Sequence, residues 1–140
     1  MDASACMAET MDKRNKFKVS HGVDRLRRAI RYSVAGWQAA WHDEAAFRQV
    51  AFMAAVGVPL ACWLGHSWEA TILLLLPLVL SLVVELLNSA LENTVDRISL
   101  EEHPLAKKAK DMGSAAQFTA QLFLAVVWGS YLWHLYISAL

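Results

Sequence analysis

Thr71–Arg97 reads TILLLLPLVLSLVVELLNSALENTVDR, and this stretch decides how the chain folds. Its first half, through Val84, carries no charge. A helix rises about 1.5 Å per residue, so about 20 apolar residues cross a hydrocarbon layer about 30 Å thick. The stretch has that length with no helix breaker except Pro77, and prolines are tolerated in spanning helices. Beyond Val84 the helix is unlike a simple anchor. Glu85, Asn88, Ser89, Glu92 and Asp96 return at helical spacing, and at 100° per residue they fall within about 60° of one meridian. Counted from Thr71, Glu85 lies about 21 Å along the helix and Glu92 about 31 Å. Glu85 is therefore still inside the hydrocarbon, near its boundary, while Glu92 and Asp96 emerge from it.

The rest of the chain agrees with a membrane setting. It has 140 residues, is 56% hydrophobic and has a mean hydropathy of +0.32, more apolar surface than a soluble domain this small can bury. The reading is an all-α integral membrane protein with spans at about 46–65, 70–97 and 114–138. The first span is marginal in apolar length, and the short turn after Gly65 makes the first two spans an antiparallel hairpin. Residues 1–23 show no periodicity and are expected to be a disordered extension, leaving 24–140 as one membrane domain.

Charge distribution sets the expected orientation. All 13 Lys and Arg residues fall within 13–48 or 97–110. By the positive-inside rule both segments are cytoplasmic, which puts the N terminus inside and the C terminus outside. Trp63, Trp68, Trp133 and Tyr136 then mark the outer interface. Before the first span, at about 24–44, Leu26, Ile30, Val34, Trp37 and Trp41 form one apolar stripe, with Arg25, Arg28 and Arg31 occupying much of the rest of the first turns. That pattern predicts an amphipathic helix in the cytoplasmic interface. The formal net charge is zero, and no nucleic-acid partner is expected. Cys6 and Cys62 form no CxxC pair, so neither a zinc site nor a disulfide is suggested, and Cys62 reads as a small buried hydrophobe.

An acid inside hydrocarbon costs up to about 2.5–3.5 kcal/mol at the bilayer centre and less towards its edge. Helix formation does not require that cost, so Glu85 points to function, the alternative being a hydrogen bond that merely joins helices. Glu44, where the interfacial helix meets the first span, should also reach the cytoplasmic headgroup layer. Glu44, Glu85 and Glu92, with Lys107, Lys108 and Lys110 on the next loop, suit a divalent cation holding phosphates, with one carboxylate left over as a base. A proton-coupled transporter could also keep intramembrane acids. Soluble-kinase signatures are absent: there is no GxxxxGK[ST] loop, no GxGxxG, no HRD and no DFG. Asp96–Arg97 can be a local ion pair, and His103 reads as a solvated loop residue.

Three segments carry a resemblance: Ala39–Gln49 (AAWHDEAAFRQ), Glu85–Arg97 (ELLNSALENTVDR) and Ala109–Ala116 (AKDMGSAA). Together they resemble the prokaryotic diacylglycerol kinases, over about residues 24–138. The resemblance implies Mg²⁺-assisted transfer of the ATP γ-phosphate to the hydroxyl of diacylglycerol, giving phosphatidic acid. It also implies a homotrimer in the bacterial inner membrane with sites shared between subunits. By motif, Glu85 would be the general base and Asn88 would orient the catalytic carboxylate. Glu44 and Glu92 would hold the metal on the nucleotide, bordered by Arg25, Tyr32, Lys110 and Asp111. Arg48, Gln49 and Ser114 would lie near the lipid. Two positions depart from better-known members, which carry an acid at Val50 and a basic residue at Gln38. Undecaprenol kinases are similar but tend to show Asn-Thr-Ala in place of Asn88–Ser89–Ala90, which favours diacylglycerol. A non-catalytic or proton-transport membrane subunit is the alternative outside the family.

Overall fold

The computed structural model describes residues 22–98 and 103–140. The expected disorder of 1–23 and the residue Cys6 fall, up to residue 21, outside the described residues. Four helices occupy the described chain: α1 (Gly22–Asp43), α2 (Ala45–Leu64), α3 (Trp68–Ile98) and α4 (Pro104–Ser138). The last three are long and apolar enough to cross a membrane, and the protein is a multi-pass membrane protein. At about 1.5 Å per residue, α3 and α4 exceed a hydrocarbon layer by several turns.

Contacts divide the described chain into two units, one ending at Ala39 and the other beginning at Ala40. In the first, α1 presents nearly all its side chains to the outside, including Leu26, Ile30, Val34 and Trp37. The Arg31 guanidinium lies 5.7 Å from the centre of the Tyr32 ring, a cation–π distance.

In the second unit α3 is central and packs against both α2 and α4. The α2–α3 connection is a tight helical hairpin. Gly65 N–H donates to Ala61 O (2.9 Å), and Thr71 Oγ1 donates to Ser67 O (3.0 Å), so the turn satisfies its own backbone. Small side chains let the helices approach. A Cβ at Gly57 would stand 2.8 Å from the Leu78 methyls, so only glycine fits there without displacing that leucine. This is the small-residue packing expected where the surroundings are as apolar as the side chains themselves. The core is formed by Phe47, Ala54, Ala61, Leu74, Pro77 and Leu78, with Ala120 and Leu124 from α4. Cys62 is exposed on α2 rather than buried, so its small size serves no close packing within this chain.

Two hydrogen bonds fix the far end of the unit. Trp128 Nε1 donates to Leu74 O (3.1 Å), and Tyr131 Oη donates to Leu64 O (2.9 Å). The second satisfies a carbonyl in the last turn of α2 that the helix itself cannot.

Helix α4 starts ten residues before the span expected at 114. His103 is its N-cap: its Nδ1 accepts from Leu105 N–H (3.2 Å), and Pro104 takes a first-turn position where a missing N–H costs nothing. His103, exposed and just outside the helix, thus also caps it. The extra turns carry Lys107, Lys108, Lys110 and Asp111 on a rigid helix beside the polar end of α3.

Candidate active site

The site forms where the polar ends of α3 and α4 meet the start of α2. Each helix brings its residues there for a local reason. On α3, Ser81, Glu85 and Ser89 share the buried face, and Glu85 is only 3% exposed. A carboxyl group so enclosed on a membrane-spanning helix lies away from bulk water, in the seam between helices. About two turns further along, Glu92 is half-buried, and its Oε1 accepts from Asn88 Nδ2 (3.0 Å). Asn88, expected to orient the catalytic carboxylate, therefore holds Glu92.

Glu44 sits at a break in the backbone ladder. Its extended conformation (φ −110°, ψ 112°) separates α1 from α2, yet the chain continues through Glu44 N–H to Ala40 O (3.0 Å). Arg48 closes the break by donating Nη1 to Trp41 O (3.0 Å) and His42 O (3.1 Å), carbonyls in the last turn of α1. A cation there also complements the negative end of the helix dipole. Arg48, expected near the lipid, thus has a structural task as well. The break leaves the Glu44 side chain uncommitted to capping. Its Oε1 instead accepts from Asn93 Nδ2 (2.9 Å), and the same amide donates to Ser89 O (2.8 Å). Asn93 thereby ties the start of α2 to α3, immediately beside Glu92. Sequence reasoning misses Asn93, because nothing in its spacing distinguishes it from a solvated polar residue.

The α4 side is contributed by Lys110, Asp111, Gly113 and Ser114. Lys110 Nζ pairs with Asp96 Oδ1 at 2.6 Å, with side chains 38% and 49% exposed. This pair closes the polar end of the α3–α4 seam and gives Asp96 a partner across helices rather than the neighbouring Arg97. A Cβ at Gly113 would collide with Asn88 Oδ1, so glycine is required for the approach that seats Asn88 against α4. Asp111, Ser114 and Gln49 are exposed. Arg25 and Tyr32 lie on α1 within the first unit, both exposed. The structure thus brings together Glu44, Glu85, Asn88, Glu92 and Lys110 within the second unit.

Among the described residues no three His, Cys, Asp or Glu side chains converge as a closed metal cage. The donor set suits a different kind of site. Two carboxylates, Glu44 and Glu92, each have one oxygen held by an asparagine amide. Magnesium binds through one or two carboxylates together with substrate phosphates, so an open two-carboxylate set fits it.

Comparison with known proteins shows what the chain is similar to. The family model described as prokaryotic diacylglycerol kinase matches residues 31–132, which include every site residue named above except Arg25. A diacylglycerol kinase of Pseudomonas aeruginosa is 50% identical over 116 residues, covering 83% of this chain and 94% of the relative. A Helicobacter pylori diacylglycerol kinase is 47% identical over 117 residues, 84% and 91% of the two chains. One from Escherichia coli K12 is 44% identical over 112 residues, 80% and 92%. By sequence over most of its length, the chain belongs to the prokaryotic diacylglycerol kinase family.

Proposed function

We propose that the protein transfers the γ-phosphate of ATP to the free hydroxyl of diacylglycerol, giving phosphatidic acid and ADP. Membership of a kinase family supports phosphoryl transfer from a nucleotide to a lipid hydroxyl. The observation that carries the assignment of roles is the enclosed Glu85 on a membrane-spanning helix, two turns from the amide-held Glu92. The acyl chains of diacylglycerol stay in hydrocarbon while its hydroxyl lies at the boundary, at the level of Glu85. The nucleotide comes from water, at the level of Glu92 and Lys110.

In this scheme Glu85 accepts the hydroxyl proton as the lipid oxygen bonds to the γ-phosphorus. The bond from that phosphorus to the bridging oxygen of ADP breaks, and the leaving oxygen takes the electron pair. Phosphoryl transfer asks chiefly for alignment and charge stabilisation, and the site is built for both. Glu44 and Glu92 would hold Mg²⁺, which when bound neutralises phosphate charge. Asn88 and Asn93 keep those carboxylates in place, and Lys110 with Asp111 borders the nucleotide. Arg48, Gln49 and Ser114 contribute to the lipid side.

Wider expectations belong to the same proposal. The basic segments lie on the cytoplasmic face of a bacterial inner membrane, with the N terminus inside and the C terminus in the periplasm. The Trp- and Arg-bearing α1 lies in the interface, and three copies assemble with sites shared between subunits. Val50 is 7% exposed on α2, so an apolar residue suits that position although better-known members carry an acid there. Purified protein given labelled ATP and either lipid tests the substrate. Labelled phosphatidic acid is expected, and labelling of undecaprenol alone would overturn the choice.

A further inference from the structure

Among the described residues, four buried side-chain polar atoms have no hydrogen-bond partner: Ser81 Oγ, Asn88 Oδ1 and both amide atoms of Gln117. Ser81 and Asn88 are on α3, and Gln117 is on α4. The register of these antiparallel helices is fixed at two points. Gly113 abuts Asn88 at the polar end, and Trp128 bonds Leu74 at the other. Along α4 from Gly113 to Trp128, helical spacing passes through Gln117, Ala120 and Leu124. Along α3 from Asn88 to Leu74, it passes through Glu85, Ser81 and Leu78. Ala120, Leu124, Glu85, Ser81 and Leu78 are among the buried residues of their helices. On that register Gln117 falls opposite Glu85.

An amide enclosed in an apolar bundle with neither N–H nor C=O satisfied is costly, and an apolar side chain of the same size would avoid the cost. Glu85, meanwhile, needs an orienting donor, because the Asn88 amide is committed to Glu92. Ionised, Glu85 only accepts hydrogen bonds, and an amide N–H is a complementary donor. An amide also suits a base better than Lys or Arg would. A cation would stabilise the carboxylate and make it reluctant to take a proton, whereas a neutral N–H orients it at smaller cost in basicity.

We propose that Gln117 is the positioning residue of Glu85: its Nε2–H, unpartnered in this structure, turns to donate to the carboxylate in the loaded site and fixes which oxygen faces the lipid hydroxyl. This rests on Glu85 acting as the base. Gln117 touches no reacting atom.

Gln117→Met removes the donor at nearly constant length, and Gln117→Leu does so with a different shape. Full-length protein in lipid vesicles is assayed with diacylglycerol and ATP, beside Glu85→Gln and with Gln117→Met repeated in a Glu85→Asp background. Each Gln117 variant is expected to lower kcat about 10–100-fold, part of what a general base supplies, with the KM for ATP within about twofold. Non-additivity marks residues that act as a unit, so in the Glu85→Asp background, where the carboxylate is already displaced, Gln117→Met should cost less than about threefold. A role confined to holding the helices together predicts unchanged kcat per folded molecule, and that result overturns the proposal. Equal losses in both backgrounds also overturn it. If Glu85→Gln is inactive while both Gln117 variants turn over normally, only the positioning role falls. If Glu85→Gln stays active, the base assignment falls first.

Discussion

Asn93 donates its side-chain amide to Glu44 across 2.9 Å, joining residues 49 positions apart and fixing the break before α2 against α3. The bond places one proposed metal carboxylate beside the residue that follows the other. It also explains why the break falls at a glutamate: a helix interrupted there frees the side chain to reach across.

Asn93→Ala removes this tie while leaving both carboxylates present. A hydrogen bond to a charged group is worth about 1.5–3 kcal/mol when shielded and less when exposed, as here. A loss of about 1 kcal/mol corresponds to about fivefold in binding. The KM for ATP with magnesium should rise by about that factor, with kcat changed by less than about threefold. Steady-state kinetics at varied nucleotide concentration checks the split.

Gly113→Ala places a methyl where Asn88 Oδ1 lies. Either α4 shifts or Asn88 leaves Glu92, and both disturb the carboxylate proposed to hold the metal on the nucleotide. Turnover should fall about tenfold or more, because small misplacements of aligned groups are costly in phosphoryl transfer. Ser114→Ala, one residue away on an exposed position, should preserve the melting temperature that Gly113→Ala lowers.

The Lys110–Asp96 pair separates structure from function. Its side chains are 38% and 49% exposed, so its contribution to stability should be below about 1 kcal/mol. Asp96→Asn should therefore leave the melting temperature and kcat close to those of the parent. Lys110→Met should raise the KM for ATP about tenfold or more, since it removes a cation expected on the nucleotide. Measuring both variants side by side distinguishes a nucleotide contact from a simple helix clamp.

Much of the architecture is legible from hydropathy alone, because a spanning helix needs only length and apolarity. The three spans follow, and so does the shared face of Glu85, Asn88, Ser89 and Glu92, since helical spacing within one element is fixed. The failures lie between elements. That Asn88 holds Glu92 and that Asn93 reaches Glu44 both depend on how side chains meet across or along a packed seam. Periodicity within a helix does not set the register of one helix against another; the small residues at the seams and the bonds at their ends do. The early start of α4 is legible in principle, since His103–Pro104 is a recognisable cap and first turn, but the charged residues after it read as a loop. Cys62 is exposed against expectation because an apolar helix in a membrane can turn any of its faces outward.

The central claim is that Glu85 takes the proton of the lipid hydroxyl, and Glu85→Gln tests it most directly. The substitution keeps size and hydrogen-bonding capacity and removes the base. Single-turnover and steady-state assays with diacylglycerol should show kcat lowered by about 10²–10⁴-fold, with the KM for ATP within about threefold of the parent. A Glu85→Gln variant that retains near-parental kcat would contradict the account.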